Sequence, residues 1–177
     1  MAILKILLSL LITLAALLLL GGQILSPKFS VTREIDIQAP PEKVYALVAA
    51  PKAWVKWDVW NHRDPAMTVQ YSGPESGAGA IWSWQSRSQG NGRITITRAE
   101  TPERVDLEFF FPDDFGTSSS SEFLFTVQGG QTHVRWSMQG DMGKNPLFHW
   151  MALFGDKMIG PDFEAGLRNL KALSEKS

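Results

Sequence analysis

The sequence predicts an α+β domain carried behind one N-terminal membrane-spanning helix, and three observations predict it. Residues Ile6 to Leu25 hold no charged side chain. From Phe29 to Gly140, short segments alternate apolar and polar residues at the period of a β-strand. Beyond Asn145 the apolar period lengthens to that of a helix. Segregated runs of strands and helices imply an antiparallel sheet covered by helices, not a parallel α/β fold.

The uncharged run of twenty residues, at about 1.5 Å per residue, reaches about 30 Å, the thickness of a bilayer's hydrocarbon core. Thirteen of the twenty are Leu or Ile, each contributing roughly −0.3 to −0.6 kcal/mol to insertion near the bilayer centre. A cleaved signal peptide with Lys5 as its basic region is the competing reading. The length of the run and the lack of an A-x-A-like cleavage site favour an anchor. Residues 1–27 are therefore read as the anchor and 28–177 as one domain, since no linker or long repeat divides the remainder. Lys5 and the terminal amine precede the helix while Lys28 and Arg33 follow it, so the positive-inside rule leaves the side of the soluble domain open.

In the domain, FSVTREIDIQA places Val31, Arg33, Ile35 and Ile37 on one side of a half-buried strand. PPEKVYALVAA follows as a helix, with Pro41 in its first turn and Pro51 closing it. A short helix or turn then carries Trp54, Trp57 and Trp60. Strands are expected at MTVQYS, GAIWSWQSRS, RITITRAE, RVDLEFFF, SEFLFTVQ and THVRWSMQG, with Asn91-Gly92 as the hairpin turn between the second and third of these. SSSS at 118–121 reads as a loop or a strand edge. From the N-cap Asn145, Phe148, Met151, Phe154, Met158, Phe163, Leu167, Leu170 and Leu173 mark one amphipathic helix of about thirty residues, kinked or restarted at Gly160-Pro161.

Composition excludes several functions. The net charge is −1, with lysines and arginines scattered, so the basic field of a nucleic-acid partner is missing. There is no cysteine, hence no disulfide, thiolate metal site or cysteine nucleophile. His62, His133 and His149 are far apart with no second ligand at metal-binding spacing, and no G-x-S-x-G, H-E-x-x-H or phosphate-loop motif occurs. No metal or cofactor is expected. Asp58, Asn61, His62, Glu108 and Asp156 are the candidates for general acid–base work, none at a diagnostic spacing. A carboxyl buried beside indoles would hold its proton more tightly.

IDIQAPPEKVYALV, AWVKWDVW, GAGAIWSWQS and DKMIGPDFEAGLRNLKAL, in this order of elements, resemble the SRPBCC superfamily of polyketide cyclase/dehydrase-like and START-like domains over about residues 29–177. They read most like its uncharacterised, membrane-anchored bacterial branch. The resemblance implies a helix-grip fold: a curved, seven-stranded antiparallel sheet around the long C-terminal helix, with a pocket between them. It also implies a single-pass protein of the bacterial inner membrane. It implies no particular ligand, because chemistry varies within a fold.

Trp82 and Trp84, two apart on a strand, share a face with Ala80 and Ser86 and would floor such a pocket. Trp60, Phe109, Phe111, Phe123, Phe125, Trp136, Met138, Phe154 and Met158 are expected to complete its lining. The expected function is binding of a hydrophobic small molecule or lipid. A cofactor-independent cyclase or hydratase using a pocket acid or base, and an interaction scaffold with a filled pocket, are the alternatives. The expected partners are that ligand and the membrane, with no nucleic acid.

Overall fold

The computed structural model describes residues 2–112 and 117–176. Helix α1 (Ala2–Ile24) carries no charge after Lys5 and is exposed until its last turn. Strand β1 (Lys28–Ile37) begins directly after Pro27, whose carbonyl accepts from the Met142 N–H. Helix α2 (Pro41–Ala49) and the single turn α3 (Pro51–Trp54) follow, each opened by a proline whose missing N–H costs nothing in a first turn. A 3-10 turn at Trp60–His62 leads into β2 (Thr68–Ser72), β3 (Ile81–Ser86), β4 (Gly90–Glu100), β5 (Arg104–Phe111), β6 (Thr117–Gln128) and β7 (Gln131–Asp141). All pairings are antiparallel, in the spatial order β1-β7-β6-β5-β4-β3-β2. This seven-stranded open sheet and its C-terminal helix are the helix-grip arrangement that the sequence leads one to expect.

Alternation along the strands turns Val31, Ile37, Trp82, Ile94, Val105, Phe109, Phe123, Val134 and Trp136 to one buried face. Helix α5 (Gly155–Ser174) lies on that face, chiefly along β1, with Phe163, Leu167 and Leu170 buried beneath it. Arg33, among the inward residues of β1, sits between α5's Asp156 and Glu164, at 2.7 Å from each. Its guanidinium occupies the space over Gly160, where a Cβ would collide with it. The two carboxylates raise its proton affinity further, and Arg33 in turn holds Asp156 below the usual carboxylate range.

Three local expectations are corrected. The C-terminal helix breaks at Phe154, not at Gly160-Pro161: α4 (Pro146–Leu153) is capped by the Asn145 side chain accepting from the Leu147 N–H, and α5 restarts at Gly155. Gly155 packs closely on the Phe29 side chain, which a Cβ would meet at 3.0 Å, while Pro161 is carried inside α5. The restart changes the phase of the apolar stripe. Met151, Phe154 and Met158 therefore point outward, and the buried stripe of α5 includes Gly160, Phe163, Gly166, Leu167 and Leu170.

The hairpin between β3 and β4 turns at Arg87–Gln89, because Ser86 already pairs with Gly90. Asn91 and Gly92 lie within β4, and Gly92 faces Trp84. The four serines at 118–121 belong to β6, between β5 and β7. Ser121 is buried there because its hydroxyl is satisfied twice, donating to the Ser137 carbonyl at 2.7 Å and accepting from the Trp136 indole at 2.9 Å.

Candidate functional site

The three closely spaced indoles do different work. Trp54 and Trp57 donate to the carbonyls of Val48 and Leu47, at 2.8 and 3.1 Å, and so satisfy acceptors that the end of α2 leaves free. Trp57 is edge-on to both Phe123 and Trp136. Trp136 in turn lies between Phe123, at 4.6 Å, and Phe163 of α5, at 3.7 Å between ring centres. This half of the inner face is solid.

Trp60 is only half-buried, edge-on to Trp136 and Phe163, and beyond it the packing opens. Because α5 follows β1 and not the middle of the sheet, the inner faces of β3, β4 and β5 are covered incompletely. A cavity of about 220 Å³ remains. Trp60, Trp82, Trp84, Phe109, Phe111 and Met138 line it, together with Ile94, Met67 and Ile159. Trp82 and Trp84 stack at 4.7 Å, and Trp84 meets Phe111 edge-on. Gly92 is what seats Trp84: a Cβ there would stand 2.2 Å from the indole.

Polar atoms are few. The Arg63–Asp162 ion pair links the turn after Trp60 to α5 at the rim, beside Gln89. Asp64 accepts from the hydroxyls of Ser86 and Ser88 and from the Ala66 N–H, which ties the same turn to the β3–β4 hairpin. The Ser86 bond leads in lowering its proton affinity. The Trp82 indole N–H is buried and has no hydrogen-bond partner among the described residues. A buried donor left in that state costs roughly 1–3 kcal/mol.

Beneath Trp60 and Trp82 lies a second hollow of about 20 Å³, which Phe123, Trp136 and Asp58 help to enclose, room for about one water. Asp58 is buried, and burial pushes its carboxyl up, while the Asn61 backbone N–H at 2.8 Å and the Asn61 amide pull it back. Both oxygens are thus engaged in holding the 3-10 turn.

Other sequence candidates lie elsewhere. Phe125 is packed between Phe123 and Tyr45, outside the cavity. Phe154 and Met158 are on the outer side of the α4–α5 junction, about half exposed, for the change of phase already described. Glu108 faces an open polar trough of about 690 Å³ on the other side of the sheet, beside Arg104 and its partners Asp106 and Glu122. His62 is exposed, and Asp156 is committed to Arg33. Among the described residues no three His, Cys, Asp or Glu side chains converge as a metal site. Ile159 was findable from the spacing Ile159-Phe163-Gly166-Leu170 once the helix restart is known. Arg63 and Asp162, 99 residues apart, carry no local signal.

Residues 28–175 match a family model described as polyketide cyclase / dehydrase and lipid transport. The chain belongs to that family. No curated protein sequence is similar to it. Among solved structures, the Chromobacterium violaceum protein CV1439 superposes with a TM-score of 0.62 at 14% identity, over 84% of this chain and 98% of that one. CalU16 from Micromonospora echinospora gives 0.56 at 17% identity, over 82% and 76%. The di-domain ARO/CYC protein BexL gives 0.61 at 16%, over 85% of this chain and 51% of BexL. These likenesses are of fold.

The cavity also has a defined height on the sheet. Phe29, Gly140, Ser119, Phe109, Ile94 and Trp82 are register partners in one row across six strands. The cavity therefore stands level with the start of β1, at the end of the sheet where α1 leaves the domain.

Proposed function

We propose that the protein is a membrane-anchored binder of a small hydrophobic molecule, or of the apolar end of a lipid, held in the cavity between β3–β5 and α5. One observation carries the reading: a cavity walled by aromatic and aliphatic side chains, with polar groups confined to Arg63, Asp162 and Gln89. Such a lining suits a largely apolar body, with any polar group of the ligand turned to the rim. The volume is below the roughly 300–1,000 Å³ usual for drug-sized ligands. A small ring system, or one end of a longer chain, fits better than a whole lipid.

The anchor half of the proposal is supported by how α1 meets the domain. Helix Ile3–Ile24 has the length and apolarity of a span. Gly21 and Gly22 lie against Trp150 and Pro146 of α4 too closely for any Cβ, the Trp150 indole donates to the Leu18 carbonyl at 3.0 Å, and the His149 ring is 2.7 Å from the Gly22 carbonyl oxygen. A leader destined for removal has no need of a fitted seat on the domain. Asp58 keeps a cyclase-like reaction as the second reading, through its burial and raised proton affinity. Its full engagement with Asn61 argues for a structural role.

The test is native mass spectrometry of the full chain extracted from membranes, followed by probe titration. Expected are the uncleaved mass, a copurifying molecule of low polarity, and saturable binding of N-phenyl-1-naphthylamine that a medium-chain fatty acid competes away. A ligand-free protein that binds the probe without saturation would overturn the binding reading. A mass lacking the first 25 or so residues would overturn the anchor.

A further inference from the structure

Helix α4 has the wrong surface for a helix facing water. Leu147, Met151 and Phe154 recur at i, i+4 and i+7 on its outward side, Met158 extends the stripe by one turn into α5, and Leu153 flanks it. All five are large, apolar and 45–58% exposed. A stripe at helical spacing is a built face, unlike a scatter of single exposed residues, and it asks for a cover.

What covers it follows from its neighbour. The patch is continuous with α1, through the contacts of Gly21 and Gly22 with Trp150 and Pro146 and the Trp150 bond to Leu18. The 22-residue span is about 33 Å long at 1.5 Å per residue, slightly more than a hydrocarbon core of about 30 Å. Its last turn therefore lies at the headgroup boundary, and a helix fastened to that turn lies there too. Trp150 then takes the interfacial position where indoles collect, with its ring in the apolar layer and its N–H bonded. Exposed Lys144 and Lys157 flank the stripe, at the ends where cationic heads reach lipid phosphates.

We infer that α4 and the first turn of α5 are a membrane-interface element, with the Leu147–Met151–Phe154–Met158 stripe set into the bilayer from which α1 emerges. The inference rests on α1 being a retained span. Its consequence is orientation: the domain is laid against the lipid, with the row from Phe29 to Trp82, and so the cavity, at the membrane end. A bound molecule would then be exchanged with the bilayer over a short path.

A chain without native cysteine allows a direct measurement. Single cysteines are placed by Leu14→Cys in α1, by Met151→Cys, Leu153→Cys and Phe154→Cys in the patch, and by Val127→Cys in the exposed hairpin at the far end of the sheet. Each full-length variant is labelled with an environment-sensitive fluorophore and reconstituted, one copy per nanodisc, in phosphatidylcholine with phosphatidylglycerol. Replacing the phosphatidylcholine with its brominated form reads lipid contact as quenching. Leu14 and the patch positions should each be quenched several-fold more than Val127. Quenching at Leu14 alone, with the patch as bright as Val127, overturns the inference and leaves the anchor standing. A patch shielded from water but unquenched means that protein, not lipid, covers it, and also overturns it. An unquenched Leu14 removes the anchor reading and the inference with it.

Discussion

Two halves of one sheet face are built from the same residue types and end in different states. Under α5, Phe123, Trp136 and Phe163 stack ring on ring and Trp57 closes their edge. Around β3–β5, Trp82, Trp84, Phe109 and Phe111 stack as well, yet leave about 220 Å³ open. The difference is the cover. A helix that lies along β1 fills one half, and the other receives only the edge of α5 and the turn carrying Trp60. An aromatic strand residue is core or cavity wall according to where the helix falls.

The largest expected effect lies in the filled half. Trp136→Ala removes a ring stacked on both sides and leaves Ser121 without its indole donor, so it should cost about 3–5 kcal/mol. Equilibrium urea unfolding checks this, and Leu170→Ala, fully buried, should cost about 2–5 kcal/mol by the same mechanism. A cost below about 1 kcal/mol at Trp136 would mean that the stack is not the core described here.

Trp84→Ala should cost clearly less than Trp136→Ala while weakening ligand or probe binding, because part of that ring faces open space and not protein. Equal destabilisation at the two positions, with binding unchanged, would erase the distinction between the halves. Gly92→Ala sharpens it further. The added methyl would stand 2.2 Å from the Trp84 ring, so the indole must swing into the cavity. The backbone at Gly92 does not demand glycine, unlike Gly90, whose φ is +67°, so the effect should be steric. Probe affinity should fall at least several-fold, with a smaller change in the urea midpoint than for Trp136→Ala.

Period and punctuation made most of the fold legible: the long apolar N-terminal helix, the alternation of the strands, the prolines that open α2 and α3, and the Asn145 cap. Contact-dependent features were not. Asn91-Gly92 has the composition of a turn, but Gly92 is needed opposite Trp84. The serines at 118–121 lack apolar signal because hydrogen bonding, as at Ser121, admits them to the sheet. Met151, Phe154 and Met158 read as core in sequence, since an apolar face turned to another element and one turned outward have the same period. Of the cavity, the strand residues were legible from alternation at Trp82, Trp84, Phe109 and Phe111. Arg63, Met67 and Asp162 were brought there only by the tertiary fold.

The smallest expected effect concerns Asp58, at the boundary of the two halves. Burial raises its proton affinity in the folded chain above that of the unfolded one, whose carboxyl titrates near about 3.9. The folded state then binds more protons across the interval between those values. Its share of stability is fully present below the ordinary carboxylate range and is lost as pH rises through the raised folded value. Asp64 and Asp156, both lowered, act with the opposite sign: their share is present above the ordinary range and lost as pH falls through the depressed values. Comparing Asp58→Asn with the parent cancels those terms. Asparagine still offers the Asn61 N–H one oxygen, so the 3-10 turn keeps its backbone bond. Urea midpoints measured from pH 4 to pH 8 should decline more steeply in the parent than in Asp58→Asn, the curves converging at the acid end of that range or crossing there. Parallel curves would show that Asp58 does not titrate differently on folding. A ligand that shifts the difference between the curves would tie this carboxyl to the open half and favour the acid–base reading over simple binding.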